Sequence, residues 1–352
     1  MVDKIYAMSS FLQYRTVCDP QVSFTTAMDA PRKKNVSFRG SRTPIHMSDE
    51  LLLFIENYIL KSMENRKVAL ALSGGIDSAI CAKYMPKGSV AYTFKCVVPG
   101  KNVTDESIRA KEICRINNLE HRIVEIYWED FESLSPILMK HKRAPFHSIE
   151  VQIYKAALQA RKDGFEGLLF AEGADVVFGG LSGLLSRDYA LGEFVERYSF
   201  VMPYKVLKDF TIITELVENY CDGGFIDAHG FIEQQFFLEY INSYDNACDA
   251  ACMEFLSPFM HMVHQPLDMR RIRRGEAKYL MREAFTTLYP HLPLTEKTPM
   301  PRPMDEWFAN WEGPKRPEFW ENCHVNMTGD QKYYIWALER FLNLLDEMEA
   351  GE

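Results

Sequence analysis

The sequence predicts an α/β protein: a parallel β-sheet with helices on both faces, followed by a mainly helical C-terminal part. Two observations predict it. Between residues 67 and 171, short apolar runs alternate with amphipathic segments, which is typical of strands and helices that succeed one another through a parallel sheet. From about residue 185 onward, apolar residues recur mainly at the 3.6-residue spacing of helices, through 205–220, 230–256, 276–289 and the tail 331–349.

The individual elements divide the chain into three parts. Residues 1–45 are short apolar or aromatic pieces separated by polar turns, and they predict a small strand-rich segment. Residues 46–310 would form the main domain, and 311–352 a helical tail. Within the main domain, the predicted helices are 48–61, 77–84, 105–117 and 148–163, and the predicted strands are 67–72, 90–97, 122–127 and 167–171.

The composition excludes several classes of protein. The 352 residues are 47% hydrophobic and 25% charged, which is ordinary for a soluble globular protein. A formal net charge of −9 argues against a protein that binds nucleic acid. The sequence has no apolar run as long as a membrane span and no signal-peptide pattern, so we expect no membrane partner. The eight scattered cysteines lack a C-x-x-C pair, which favours a reduced, cytoplasmic protein.

The first candidate site follows the first predicted strand of the sheet. That strand ends at Leu72, and Ser73-Gly74-Gly75 forms a turn in which the backbone can closely approach a ligand. A helix begins at this turn, and the unpaired N–H groups of a helix N-terminus suit phosphate. Asp77 fits this setting if Mg²⁺ lies between its carboxylate and the phosphates. The pattern predicts a nucleotide site, although it is not a Walker A loop because no Gly-Lys-[Ser/Thr] follows.

The second candidate site is the turn after the strand 167–171. It carries two carboxylates, Glu172 and Asp175, beside glycines. Because the carboxyl ends of parallel strands face one crevice, this turn can meet the first one. Two acids near one polyphosphate would either share Mg²⁺ or divide into a metal ligand and a base.

Together these stretches resemble a known family. The run from Ser73 to Ser78 resembles the PP-loop of the ATP pyrophosphatases, which cleave ATP between the α- and β-phosphates. The run from Phe170 to Gly180 resembles the G-E-G-x-D-E-x-F-G-G-Y segment of the synthetase domain of asparagine synthetases and β-lactam synthetases. Four further stretches resemble other elements of this family in the same order: Ser243-Tyr244-Asp245, the run from Glu254 to Phe259, the run from Gly275 to Arg282, and Glu296-Lys297-Thr298-Pro299.

The resemblance implies a five-stranded parallel sheet of the adenine nucleotide α-hydrolase type and a role for each matching residue. Three residues would be catalytic: Glu172 as the base for the amine, Glu254 as a residue that orients the base, and Lys297 as the cation at the α-phosphate. Mg²⁺ would bind to Asp77 and Asp175. ATP would contact Leu72, Ser73, Gly74, Gly75, Asp77, Ser78, Gly173 and Lys278.

The implied activity is that of an AMP-forming carbon–nitrogen ligase. It would adenylate a substrate carboxylate with Mg²⁺ and ATP, then pass the acyl group to ammonia or an amine. Departures from the family pattern, including Val176 for the second acid and Leu256 for an arginine, leave the carboxylate unidentified. Residue 2 is Val where glutamine-dependent relatives have a nucleophilic Cys, so we expect no glutaminase activity in this sequence. Ammonia could come from a separate protein, and the chain could form a homodimer.

Two alternatives remain at this stage. A PP-loop enzyme of the nucleotide- or tRNA-modifying type would adenylate another oxygen; the acidic charge balance speaks against it. A catalytically silent ATP-binding subunit is the second alternative. The presence of Asp77, Asp175 and Lys297 argues against it, because a silent subunit would be free to lose them.

Overall fold

A computed structural model of the chain describes residues 1–32, 42–294 and 300–350. The first half contains the predicted strands and helices in the predicted order. It also contains elements that were not predicted: the helices Lys4–Tyr14, Trp128–Lys142 and Ala174–Val177 and the strand Thr43–Ile45. Its elements are α1 (Lys4–Tyr14), β1 (Thr43–Ile45), α2 (Ser48–Ser62), β2 (Val68–Ala71), α3 (Ile76–Tyr84), β3 (Val90–Cys96), α4 (Ser107–Asn117), β4 (Glu120–Ile126), α5 (Trp128–Lys142), α6 (Glu150–Lys162), β5 (Gly167–Leu169) and α7 (Ala174–Val177).

The second half is mainly helical but contains four more short strands. Its elements are α8 (Leu191–Tyr198), α9 (Glu215–Glu218), β6 (Cys221–Asp222), β7 (Phe225–Ile226), α10 (Ala228–Phe236), a π-helical turn (Phe237–Ile241), α11 (Asn242–Ala250), β8 (Glu254–Leu256), β9 (Met262–His264), α12 (Met269–Arg273), α13 (Tyr279–Leu288), α14 (Met304–Trp307) and α15 (Gly329–Ala350). Single 3₁₀ turns occur at Pro203–Lys205 and Pro258–His261.

The central sheet has five parallel strands in the order β4-β3-β2-β5-β8. This confirms the predicted five-stranded parallel sheet. β2 occupies the middle of the sheet, paired with β3 on one side and β5 on the other. A separate parallel pair joins β1 to β9, with Thr43 opposite Met262.

Side-chain alternation along β2 places helices on both faces of the sheet. Ala69 and Ala71 belong to a core shared with α1, α5, α6 and α15. Val68, Leu70 and Leu72 belong to the opposite core, shared with α2, α3, α4 and α13. Successive residues of a strand point to opposite faces, and here both faces are apolar because both are covered. The strand ends at Leu72, where the polar loop begins.

The N-terminal prediction was wrong. Residues 1–45 were expected to be strand-rich, yet residues 4–14 form α1, and the last eight residues of that helix are almost fully buried. The side chain of Gln13 accepts a hydrogen bond from the backbone N–H of Ile213 at 2.8 Å, and Phe11 packs on Tyr334 of α15 with ring centroids 5.7 Å apart. The N-terminal helix and the C-terminal helix therefore share the core of the main domain.

The helical patterns of the second half were right in part. The patterns at 276–289 and 331–349 correspond to α13 and α15. Residues 205–220 are mostly irregular, and 230–256 comprises two helices, a π-helical turn and the strand β8. Within residues 1–32, 42–294 and 300–350, no helix is both long enough and apolar enough to cross a membrane.

Candidate active site

A crevice of about 420 Å³ lies where β2 and β5 end. In a parallel sheet this carboxyl edge is the usual place for a ligand. The crevice brings both predicted turns together, since residues 71–78 form one wall and Ala171, Glu172 and Asp175 form part of another. The remaining walls are Tyr92, Phe94, Thr104, Asp105, Glu106, Arg109, Phe170, Gly180, Tyr244, Ala277, Lys278, Arg282, Met300 and Pro301.

The loop 73–75 is held in shape by its own hydroxyl groups. Ser73 Oγ and Ser78 Oγ are 3.1 Å apart, and the backbone N–H of Gly75 donates to Ser73 Oγ at 3.3 Å. Gly74 has φ +83°, and an added Cβ would lie 3.1–3.3 Å from the start of α4, so this position requires glycine. The backbone N–H of Leu72 donates a hydrogen bond to the backbone oxygen of Tyr92 in β3 at 2.8 Å. The loop thus presents the N-terminus of α3 to the crevice.

A buried lysine joins the two predicted metal ligands. Lys278 Nζ lies 2.5 Å from Asp77 Oδ2 and 2.7 Å from Asp175 Oδ1, and only 10% of the lysine side chain is exposed. Burial alone lowers the pKa of Lys278, but the two carboxylates outweigh burial and hold that pKa above its ordinary value. The lysine is therefore charged at neutral pH, and the carboxylates from α3 and α7 converge on one cation.

This arrangement fits a Mg²⁺ site. Carboxylate oxygens are the ligands that Mg²⁺ prefers, and Mg²⁺ is commonly held by one or two carboxylates together with phosphate oxygens and water. Among the residues that the structure describes, no group of three or more His, Cys, Asp or Glu side chains is placed to hold a metal. A divalent cation at Asp77 and Asp175 would therefore need oxygen ligands beyond the side chains of these two residues.

Two glycines shape the second turn for different reasons. Gly173 has φ +102°, and an added Cβ would lie 3.1 Å from Phe259 Cβ. At Gly180 the limit is space: an added Cβ would lie 2.0 Å from Asp175 Oδ1 and 2.5 Å from Lys278 Cε. The absence of a side chain at Gly180 therefore leaves room for the bridge between Asp175 and Lys278.

Glu172 is held by two residues on neighbouring elements. Burial raises the pKa of Tyr244 well above its ordinary value, and the Glu172 carboxylate, to which the Tyr244 hydroxyl donates a hydrogen bond, raises it further. The Tyr244 ring packs against both Phe170 and Phe255, with centroid separations of 5.0 and 5.3 Å. Ser257 Oγ donates to the backbone oxygen of Glu172 at 2.6 Å. Glu172 thus has a fixed backbone and a buried proton donor beside its carboxylate.

The structure does not bring Glu254 to this crevice. Glu254 is the first residue of β8 and pairs with Gly167, the first residue of β5, so it lies at the amino edge of the sheet. Its side chain is 48% exposed and forms an ion pair with Arg66. The predicted role of Glu254 in orienting a base is therefore not compatible with this position. Lys297 lies in 295–299, outside the described residues, and its role stays a prediction.

Sequence reasoning missed several residues of the crevice. Tyr244 and Arg282 lie within stretches that carried the family resemblance but were not singled out. Glu106 and Arg109 lie at the start of α4, and the signal for them was the acidic pair Asp105-Glu106 after a predicted strand. Burial, with a smaller contribution from Asp105, raises the pKa of Glu106 to about 8. This wall of the crevice is therefore less negative at neutral pH than its residue types suggest.

Comparisons with solved structures found distant neighbours. An NH₃-dependent NAD synthetase from Campylobacter jejuni is 18% identical with a TM-score of 0.26, and the match covers 38% of this chain and 60% of that one. An NMN synthetase from Francisella tularensis is 14% identical with a TM-score of 0.29, covering 72% and 100%. A U34-tRNA thiolase from Methanococcus maripaludis is 15% identical with a TM-score of 0.27, covering 71% and 82%.

The sequence comparisons gave one clear result. A search of curated proteins found no match. A family model described as asparagine synthase matches residues 60–316, which include both turns of the crevice as well as Tyr244 and Lys278. This confirms the resemblance that the motifs indicated: the chain belongs to the asparagine synthase family.

Proposed function

We propose that this protein is an ATP-dependent ligase that forms an amide bond. It would activate a substrate carboxylate as an acyl-adenylate with release of pyrophosphate, and then transfer the acyl group to ammonia or an amine with release of AMP. The observation that carries the proposal is the crevice itself. It combines the PP-loop, two carboxylates that converge on one cation, and a separate carboxylate, Glu172, with a buried hydroxyl donor.

In the first step, an oxygen of the substrate carboxylate bonds to the α-phosphorus of ATP. The bond from that phosphorus to the bridging oxygen breaks, and pyrophosphate leaves with the electron pair. The N-terminus of α3, which follows the loop 73–75, offers N–H donors to the phosphates. Asp77 and Asp175 would hold Mg²⁺, which would supply positive charge to the leaving pyrophosphate. The chain's contribution to this step is positioning and electrostatic stabilisation.

In the second step, the amine nitrogen attacks the acyl carbon, the bond from that carbon to the AMP oxygen breaks, and the nitrogen loses a proton. Glu172 is the candidate acceptor of this proton. The hydroxyl of Tyr244 and Ser257 Oγ hold Glu172 in one orientation. Glu172 contacts Tyr244 and Ser257, whereas Asp77 and Asp175 both contact Lys278. We therefore assign the base and the phosphate-site carboxylates to different residues of the same crevice.

A two-part assay tests the proposal. The purified protein is incubated with Mg·ATP and radioactive pyrophosphate in the presence of a panel of amino acids and sugar acids. We expect one class of carboxylate to promote exchange of pyrophosphate into ATP. Hydroxylamine is then added in place of the amine, because it converts an acyl-adenylate to a hydroxamate whose mass identifies the carboxylate.

Two control variants sharpen this assay. Asp175→Asn should abolish exchange, since it removes one of the two carboxylates at the phosphate site. Tyr244→Phe should preserve exchange but slow hydroxamate formation, because it removes only the donor beside Glu172. Exchange without any hydroxamate from any carboxylate would refute acyl transfer and favour adenylation of another oxygen.

A further inference from the structure

The Lys278 ammonium occupies the place between Asp77 and Asp175 where a metal ion would bind. We propose that Lys278 is an internal cation that holds these two carboxylates together in the absence of nucleotide, so that the divalent cation enters only with the nucleotide. This inference rests on the proposed role of Asp77 and Asp175 as metal ligands. It adds an order of binding, which the proposed reaction does not require.

Opposite charges hold these three side chains together. Both carboxylates contact the same ammonium, at 2.5 and 2.7 Å, and all three side chains are largely buried. Two carboxylates so close together repel each other unless a cation lies between them. A divalent cation arriving alone would have to displace the ammonium, and the lysine would then be left buried without a counter-ion, which is strongly unfavourable.

A triphosphate removes this obstacle. Its oxygens can accept the displaced ammonium, since Lys278 lies in the same crevice as the PP-loop, and they also complete the coordination of the metal. Among the described residues, no third carboxylate, histidine or cysteine joins the two aspartates in a metal-binding group. The metal and the nucleotide therefore supply to each other ligands that the described residues alone do not provide.

The backbone shows that the position of the ammonium is built into the fold. Lys278 is the residue directly before α13. It has φ +54° and ψ +34°, a left-handed conformation that is uncommon for a residue with a Cβ. Such conformations cluster at functional sites. Gly180, in turn, has no side chain and so leaves the space that Lys278 Cε and Asp175 Oδ1 occupy. Two separate backbone features thus accommodate one contact.

The test is a titration of the nucleotide-free protein with Mn²⁺, in which electron paramagnetic resonance measures the concentration of free Mn²⁺. We expect the wild type to show no saturable site, and Lys278→Met to bind one Mn²⁺ at least about tenfold more tightly than the wild type. Adding Asp77→Asn to Lys278→Met should remove that site again. The matched control is Lys155→Met, which removes a lysine paired with Asp130 at 2.7 Å outside the crevice, and it should behave as the wild type.

Saturable binding of Mn²⁺ by the wild type without nucleotide would overturn the inference. A folded Lys278→Met variant that gains no Mn²⁺ site would also overturn it. So would a double variant, Lys278→Met with Asp77→Asn, that still binds Mn²⁺. If Lys278→Met does not fold, the wild type decides the matter: it should retain Mn²⁺ only when α,β-methylene-ATP is added, and retention without it overturns the inference. The titration contains neither carboxylate nor amine. Failure of the proposed ligase reaction would therefore leave its result unchanged.

Discussion

Replacement of Gly180 by alanine tests how closely the site is packed. Gly180 has no left-handed backbone that would by itself demand glycine, and its N–H donates to Asp175 O at 2.6 Å. A methyl group there would point at the bridge between Asp175 and Lys278. Gly180→Ala therefore perturbs the predicted phosphate site without removing any charged group.

The size of the effect follows from three distances. The added Cβ would lie 2.0 Å from Asp175 Oδ1, 2.5 Å from Lys278 Cε and 2.9 Å from Asp175 Cα. The optimal van der Waals separation of non-bonded carbon atoms is about 3.5–4.0 Å. The carboxylate and the lysine must therefore each shift by about 1 Å. Overpacking of this kind costs about 1–3 kcal/mol of stability, which a folded domain tolerates. A shift of about 1 Å in catalytic geometry costs on the order of 100-fold in rate.

The assay compares pyrophosphate exchange with thermal unfolding. We expect Gly180→Ala to lose about two orders of magnitude in exchange while its melting temperature falls by a few degrees. Gly192→Ala is the matched control, because Gly192 lies in α8 and an added Cβ there meets nothing within 4 Å. A Gly180→Ala variant with the exchange rate of Gly192→Ala would refute the assigned geometry of the bridge.

Four further outcomes are expected. Glu172→Gln should slow amide formation more than pyrophosphate exchange, because only the second step needs a base. Its control, Glu254→Gln at the opposite edge of the sheet, should change neither rate by more than about threefold. Equal loss of both half-reactions in Glu172→Gln would contradict the role of Glu172. Asp77→Asn should abolish AMP formation with the fold intact by circular dichroism, and near-normal turnover would exclude Asp77 as a metal ligand. Lys297→Ala should lower the rate by several powers of ten with little change in ATP affinity; a loss of affinity with an unchanged rate would make Lys297 a ground-state contact only. Because Glu106 is neutral below its pKa of about 8 and negative above it, ATP affinity should weaken as pH rises through 8, and Glu106→Gln should flatten that profile.

The sequence predicted the crevice well because the determinants of both turns are local. An apolar strand that stops at Ser73-Gly74-Gly75 specifies a turn with φ > 0, and the structure has φ +83° at Gly74. The acidic turn after β5 lies beside it because all five strands are parallel. The position of Lys278 was harder to derive: it lies 201 residues from Asp77, and only the family motif indicated it.

The elements that prediction missed depend on distant partners. β8 has only three residues, and it is a strand because Glu254, Phe255 and Leu256 pair with β5. So short a strand cannot be distinguished in the sequence from the helical pattern around it. Whether a segment forms a strand depends more on its contacts with neighbouring strands than on the intrinsic β-propensity of its residues. In α1, several buried residues are polar, so the segment lacks a clear amphipathic pattern. Gln13 can be buried because its side-chain oxygen accepts a hydrogen bond from the backbone N–H of Ile213.

The strand assignment also decides which residue of one motif can act in the crevice. In a parallel strand the first residue lies at the amino edge and the residue after the last lies at the carboxyl edge. For β8 this puts Glu254 in contact with Arg66, and Ser257 in contact with Glu172. The stretch that resembles a catalytic motif therefore reaches the site through its serine, and the proton donor beside Glu172 comes from Tyr244 on α11. Loss of the Ser257 hydroxyl should consequently disturb the amide-forming step, whereas loss of the Glu254 carboxylate should not.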